Sequence, residues 1–172
     1  MNLLDISREM VAVLFPEEEW TEAYGNVFVA SSRKPKNSEQ KKVFEKEFDM
    51  ARIAADKGHT IFLLPELESH KHPDALFDAE FTEFKNVTGG ENAISHRFRD
   101  ALHQGRNVYL KIDSGATVRR IRQILAGVLK KKDNVGKVYC YVTRVDAMYT
   151  WNMQDLKQNK APNGASLLPQ AD

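Results

Sequence analysis

The chain has 172 residues, 42% hydrophobic and 28% charged, with 25 basic and 24 acidic side chains and a formal charge of +1. That length supports a compact core, and the near-neutral balance excludes a globally basic nucleic-acid binder, so any basic surface must be local. The single cysteine, Cys140, excludes an intrachain disulfide and a cysteine-based zinc cluster, and it fits a reducing, cytoplasmic setting.

No apolar run approaches the ~18–20 residues of a membrane span. The start, MNLLDISREMVAVLF, has no basic stretch ahead of its apolar residues, so no secretory signal is expected. Residues 1–30 combine a short amphipathic beginning (Leu3, Leu4, Ile6, Met10, Val11) with VFVA at 27–30, interrupted by Pro16 and Gly25. SSRKPKNSEQ at 31–40 reads as a polar loop, with Ser38 able to cap a following helix.

Residues 39–57 are expected to be helical, with Phe44, Phe48, Ala51 and Ala55 at helical spacing and Gly58 as the stop. HTIFLLP at 59–65 is a buried strand ended by Pro65, and ELESHKH is a charged loop. PDALFDAEFTEFK at 73–85 then reads as a hairpin with a tight turn at Asp78-Ala79. Next come a helix over 91–104, a strand over 107–112, a helix over 117–132 and a strand over 137–145. The end of the chain is polar and rich in turn formers. The resulting division is an N-terminal extension (1–37), an α/β core (38–147) and a tail (148–172). The core is a mixed central β-sheet with an antiparallel hairpin, flanked by helices.

The hairpin carries the chemistry. With Asp78-Ala79 as its loop, Asp74 faces Glu83 at a Cβ separation of about 4.5–5.5 Å. Strand alternation puts Glu83 and Lys85 on one face. Two carboxylates beside an ammonium suit a hard divalent cation and phosphodiester hydrolysis. On spacing alone, a surface hairpin of alternating charges is the favoured reading, and the surroundings shift the weight toward a site.

Glu47 is a further candidate. Relative to Phe44 at 0°, it projects at about 300° around the helix, with Ala51 at about 340° and Ala54 at about 280°, while Glu45 points away at about 100°. A carboxylate on that arc needs a partner or a metal unless it reaches water at the rim. Glu66, after the first strand, is a possible accessory ligand. His70, His72, His96 and His103 raise a metal reading, but His70 and His72, in a charged loop beside Pro73, read first as solvated loop residues and otherwise as contacts to a substrate phosphate. Arg119, Arg120, Arg122 and Lys130–Lys132 make one helix face basic, and Arg97, Arg99 and Arg106 flank the preceding helix. These are solvated faces or phosphate contacts, with Arg97, Arg119 and Arg120 the candidates for substrate binding.

The element order and the motif of Asp74, Glu83 and Lys85, with Pro73 before the aspartate, resemble the PD-(D/E)XK nuclease superfamily and its restriction-endonuclease-like core. Residues 41–113 further resemble the C-terminal toxin nuclease domain of CdiA-type contact-dependent inhibition proteins, with relatives in phage and mobile elements. The shared features are EKEFDMARIAADKG, HTIFLLPE, the PD…EFK hairpin and AISHRFRDALHQGRNVYLKI. The resemblance implies Mg²⁺ (or Mn²⁺) on Asp74, Glu83 and the Phe84 carbonyl, with Lys85 holding the attacking water. It also implies a polar role for Gln104, orienting Lys85 or the phosphate; otherwise Gln104 is an exposed helix end. The function implied is a metal-dependent nuclease acting on tRNA, other RNA or DNA, either a toxin with an immunity protein or a phage or mobile-element nuclease. The alternative is a non-catalytic nucleic-acid- or protein-binding module on the same fold.

Overall fold

The computed structural model describes residues 1–67 and 72–158. The chain is mixed α/β and forms two compact units, residues 1–84 and 85–172. Among the described residues no helix is long and apolar enough to cross a membrane.

The first unit comprises α1 (Leu3–Leu14), β1 (Trp20–Tyr24), β2 (Val27–Ala30), a 3₁₀ turn (Ser31–Arg33), α2 (Ser38–Asp56), β3 (Ile61–Leu63), β4 (Ala75–Phe77) and the first part of β5 (Glu80–Thr88). Its strands lie in chain order. β1–β2, β3–β4 and β4–β5 are antiparallel, and β2–β3 is parallel, joined by α2. The segment read as an N-terminal extension is therefore structural: β2 pairs with β3, and Phe28 stacks on Phe62 with ring centroids 4.5 Å apart. Val11 of α1 completes that apolar cluster with Leu64 and Leu76.

Asn37 caps α2 by accepting from the Gln40 N–H at 2.8 Å. The buried residues of α2 are Met50, Ala51 and Ala54, while Phe44 and Phe48 are half-buried and stack on each other. The buried arc is thus centred near Glu47 rather than near Phe44. Small alanines let the helix approach β3 closely.

The hairpin has the expected register: Ala75 faces Thr82, Leu76 faces Phe81 and Phe77 faces Glu80. Asp78 and Ala79 both have positive φ, 50° and 65°, as a two-residue type I′ connection demands. Asp78 is anchored to the chain before β3. Its carboxylate accepts from the Thr60 N–H at 2.9 Å and meets His59 Nδ1 at 2.6 Å. That anchoring holds a turn that contains no glycine.

The second unit continues β5 and adds α3 (Glu91–Leu102), β6 (Asn107–Asp113), α4 (Val118–Leu129), β7 (Lys137–Val142), β8 (Ala147–Asn152) and α5 (Met153–Lys157). β6 and β7 are parallel, joined by α4, and β7–β8 is antiparallel. Ile94, Phe98, Ala101 and Leu102 of α3 pack in one cluster with Val118, Ile121, Leu125 and Leu129 of α4 and with the strand residues Val108, Leu110, Val138 and Cys140. Burial pushes the Cys140 thiol far up, so it is an inert core residue.

The segment 148–158, read as the start of a tail, instead forms most of β8 and all of α5. Asp146 at φ 46° turns the chain back, and Trp151, Met153 and Leu156 join the core. The rest of the expected tail, 159–172, lies outside the described residues.

Gly136 fixes the approach of β7 to β6. It sits at φ +132°, where an added Cβ would lie 2.5 Å from the Arg106 carbonyl oxygen and 2.7 Å from Asn107 Oδ1. Gly136→Ala is expected to cost at least about 1–3 kcal/mol from backbone strain alone. Equilibrium urea unfolding checks this; a loss below about 0.5 kcal/mol, typical of a neutral surface change, would contradict it.

Candidate active site

In the first unit one buried arginine holds a carboxylate and two main-chain carbonyls. Arg33, at the end of the 3₁₀ turn, is 6% exposed. One guanidinium nitrogen, Nη2, donates to Glu47 Oε2 on α2. The other, Nη1, donates to the carbonyl oxygens of Leu64, after β3, and of Asp74, before β4, the latter at 3.2 Å. One planar fork therefore ties the 3₁₀ turn, α2 and both flanks of the segment 64–74 together.

Asp74 is fixed from three sides. Its carbonyl accepts from Arg33 and from the Leu64 N–H at 3.0 Å. Its carboxylate Oδ2 accepts from the Phe84 N–H at 2.7 Å. This last bond sets the Asp74 carboxylate against the backbone of β5 next to Glu83. Glu83 itself is 4% exposed.

Glu47 has its carboxyl held above the ordinary 4.5. Burial is the largest cause, opposed by Arg33 and reinforced by the negative charges of Asp74 and Glu66. The helical projection is therefore explained by an ion pair: Glu47 sits on the core-facing arc and is partnered by Arg33. With a raised folded pKa, the folded state holds a proton where the unfolded chain has released it. The contribution of Glu47 is full below the unfolded value of about 4.5 and is lost as pH rises through the folded pKa. Stability of the protein is expected to fall across that window, and Glu47→Gln should flatten this fall. Thermal melts across the acid range check it; an unchanged pH profile in the variant contradicts it.

In the second unit, Lys85, the next residue of β5 after Phe84, donates from Nζ to Gln104 Oε1 at 2.8 Å. Gln104 follows α3 and is half-buried, so it is a partner of Lys85 rather than a solvated helix end.

The remaining candidates are placed as follows. Arg97 and Arg119 are exposed on α3 and α4. Arg120 is also exposed, but its guanidinium makes a bidentate pair with Glu91, both bonds 2.8 Å. His72 and His103 are exposed, His96 lies 3.1 Å from Asp100, and His70 lies outside the described residues. Glu66 is exposed and acts on Glu47 through its charge. Among the described residues no three His, Cys, Asp or Glu side chains come together as a metal-ready group. Glu47 is instead partnered by Arg33. The sequence reading missed Arg33. Its partners are 14 to 41 residues away, and no local pattern marks an arginine in SSRKPK as buried.

Comparison with known proteins adds two likenesses. Residues 71–145 match the family described as the contact-dependent growth inhibition CdiA C-terminal domain. That span holds Asp74, Glu83, Lys85 and Gln104, and begins later than the 41–113 likeness read from the sequence; Arg33 and Glu47 precede it. A chain of the solved CdiA-CT/CdiI toxin and immunity complex from Burkholderia pseudomallei is similar at 15% identity and a TM-score of 0.55, over 72% of this chain and 98% of that one. No curated protein matches the chain. Over residues 71–145 the chain is therefore similar to CdiA C-terminal domains, and in fold it is similar to a chain of that toxin and immunity complex.

Proposed function

We propose that this protein is a metal-dependent nuclease of the PD-(D/E)XK type that serves as a toxin. The observation that carries this reading is the hairpin. Continued by one pair, its register puts position 74 opposite position 83; the Asp74 carboxylate accepts from the Phe84 N–H, and Lys85 follows Glu83 by two positions on β5, which supports a two-carboxylate site with a neighbouring ammonium. The likeness to CdiA C-terminal domains supports the toxin role.

The donor set fits a hard cation. Mg²⁺ is commonly held by one or two carboxylates with water filling the other positions, so a third acidic side chain is not needed. Asp74, Glu83 and the Phe84 carbonyl would hold it. When bound, Mg²⁺ or Mn²⁺ supplies Lewis acidity at the phosphate and lowers the pKa of a water. Lys85 orients the attacking water and offsets charge growing on the phosphate oxygens. Gln104 accepts one Lys85 N–H and so fixes the direction of the ammonium. Arg97 and Arg119 supply phosphate-backbone contacts from α3 and α4. A cognate immunity protein is the expected partner, since the similar solved chain comes from a toxin and immunity complex.

Lys85→Ala is expected to lower the cleavage rate by about 10²–10³-fold, the cost of removing one preorganised charge-stabilising donor. Gln104→Ala should cost less, because it loosens Lys85 without removing the charge. Single-turnover cleavage of a labelled substrate by folded variants measures both; wild-type rates in Lys85→Ala would reject its assigned role.

A further inference from the structure

Next to the Arg33–Glu47 pair, the first unit carries a cleft of about 210 Å³. Its chemistry comes from Arg33, Lys34, Lys36, Gln40, Phe44 and Glu66. The cleft lies at the N-terminus of the 19-residue α2, the end of a helix that favours anions. Two further observations bear on what it holds. Lys34 and Lys36 are exposed and bring two positive charges to one wall. Their loop is held in place: the Lys36 N–H donates to Gln40 Oε1 at 2.9 Å, and the Gln40 N–H donates to Asn37.

Phe44 sets the character of the ligand. It is half-buried, is the one aromatic residue lining this cleft among the described residues, and is backed by Phe48 at a centroid distance of 5.8 Å and an interplanar angle of 18°. A supported ring beside fixed cations is a stacking platform beside a phosphate seat. Glu66 orders the two ends: it repels a phosphate but can accept from the amino group of a base. All of these residues precede residue 71, outside the span that matches the CdiA family.

We propose that this cleft binds one unpaired nucleotide of the substrate strand, its phosphate against Lys34 and Lys36 and its base on Phe44. The inference rests on the nuclease reading for its ligand and adds the substrate class: nucleic acid that is single-stranded beside the cleaved bond. A base inside a duplex stays stacked on its neighbours and cannot lie on Phe44 without being extruded.

The test is fluorescence anisotropy with short labelled single-stranded DNA and RNA oligonucleotides, and duplexes of the same sequence, in EDTA so that nothing is cut. The full chain is compared with Phe44→Ala, Phe44→Tyr and the double variant Lys34→Ala/Lys36→Ala. Phe44→Ala should weaken single-strand binding about tenfold or more, while Phe44→Tyr, which keeps a ring, should bind like wild type. The lysine variant should flatten the salt dependence by about 0.7 in log–log slope per lost phosphate contact. Duplexes should bind more weakly and respond little to Phe44→Ala. Unchanged affinity and salt slope in both the Phe44→Ala and lysine variants overturn the inference, and leave the nuclease reading standing if the wild type still cleaves. The expected binding pattern in a protein that cleaves nothing supports the cleft and overturns the nuclease reading instead.

Discussion

Asp74→Asn is expected to abolish metal-dependent cleavage while leaving the fold intact. The asparagine oxygen can still accept from the Phe84 N–H, as Asp74 Oδ2 does at 2.7 Å. The carbonyl of residue 74 still receives Arg33 and the Leu64 N–H. The charge that a cation needs is lost. The expected fall in rate is at least about 10²–10³-fold, the scale for deleting one transition-state-stabilising group. Binding of Mn²⁺, followed by calorimetry, should weaken in parallel. A folded Asp74→Asn protein that cleaves and binds Mn²⁺ like wild type would falsify the assignment of Asp74 as a metal ligand.

Arg33→Met should strongly destabilise the first unit. Breaking a buried pair from one side leaves the other charge uncompensated, at about 3–5 kcal/mol. Here the side chains of Arg33 and Glu47 are 3% and 17% exposed, and the carbonyls of Leu64 and Asp74 each lose the donor that Arg33 supplies. Pairing Arg33→Met with Glu47→Met removes the stranded carboxylate, so the double variant should regain part of the loss. The Leu64 carbonyl still lacks its Arg33 donor and the Asp74 carbonyl keeps only the Leu64 N–H, which keeps the recovery incomplete. Lysine at position 33 should fail too, because a point charge cannot span three acceptors as a guanidinium does. Urea unfolding of the two single variants and the double variant measures the coupling. A loss under about 1 kcal/mol for Arg33→Met, in the range of an exposed salt bridge, contradicts the account.

The hairpin was legible because its information is local. Asp78-Ala79 lies between alternating runs, and a two-residue loop fixes the register of everything beside it, down to Asp74 against the backbone of β5. The helices α3 and α4 were legible from apolar spacing, whereas Gln104 beside Lys85 was only one of two readings, offered by the family resemblance against an exposed helix end. Arg33 was not legible. Its burial depends on partners that meet only after α2, β3 and β4 have folded, and a polar loop is the ordinary reading of its neighbourhood. The arc of α2 was displaced because Phe44 and Phe48 look like core residues but line a surface, while Met50 and two alanines make the packed face. β8 was missed for a different reason. The chain reverses at Asp146 without a glycine or proline to announce it, although the aromatic alternation of Tyr149 and Trp151 was a usable signal.

The central claim is that the Asp74–Glu83 hairpin hydrolyses nucleic acid with a bound metal. Its most direct test is to incubate purified protein with plasmid DNA, single-stranded DNA and total tRNA, each with Mg²⁺, Mn²⁺ or EDTA, beside a Glu83→Gln control. The account predicts cutting of at least one single-stranded or loop-containing substrate, lost in EDTA and lost in the variant. No cutting of any substrate by the folded protein, or cutting that persists in Glu83→Gln, would contradict it.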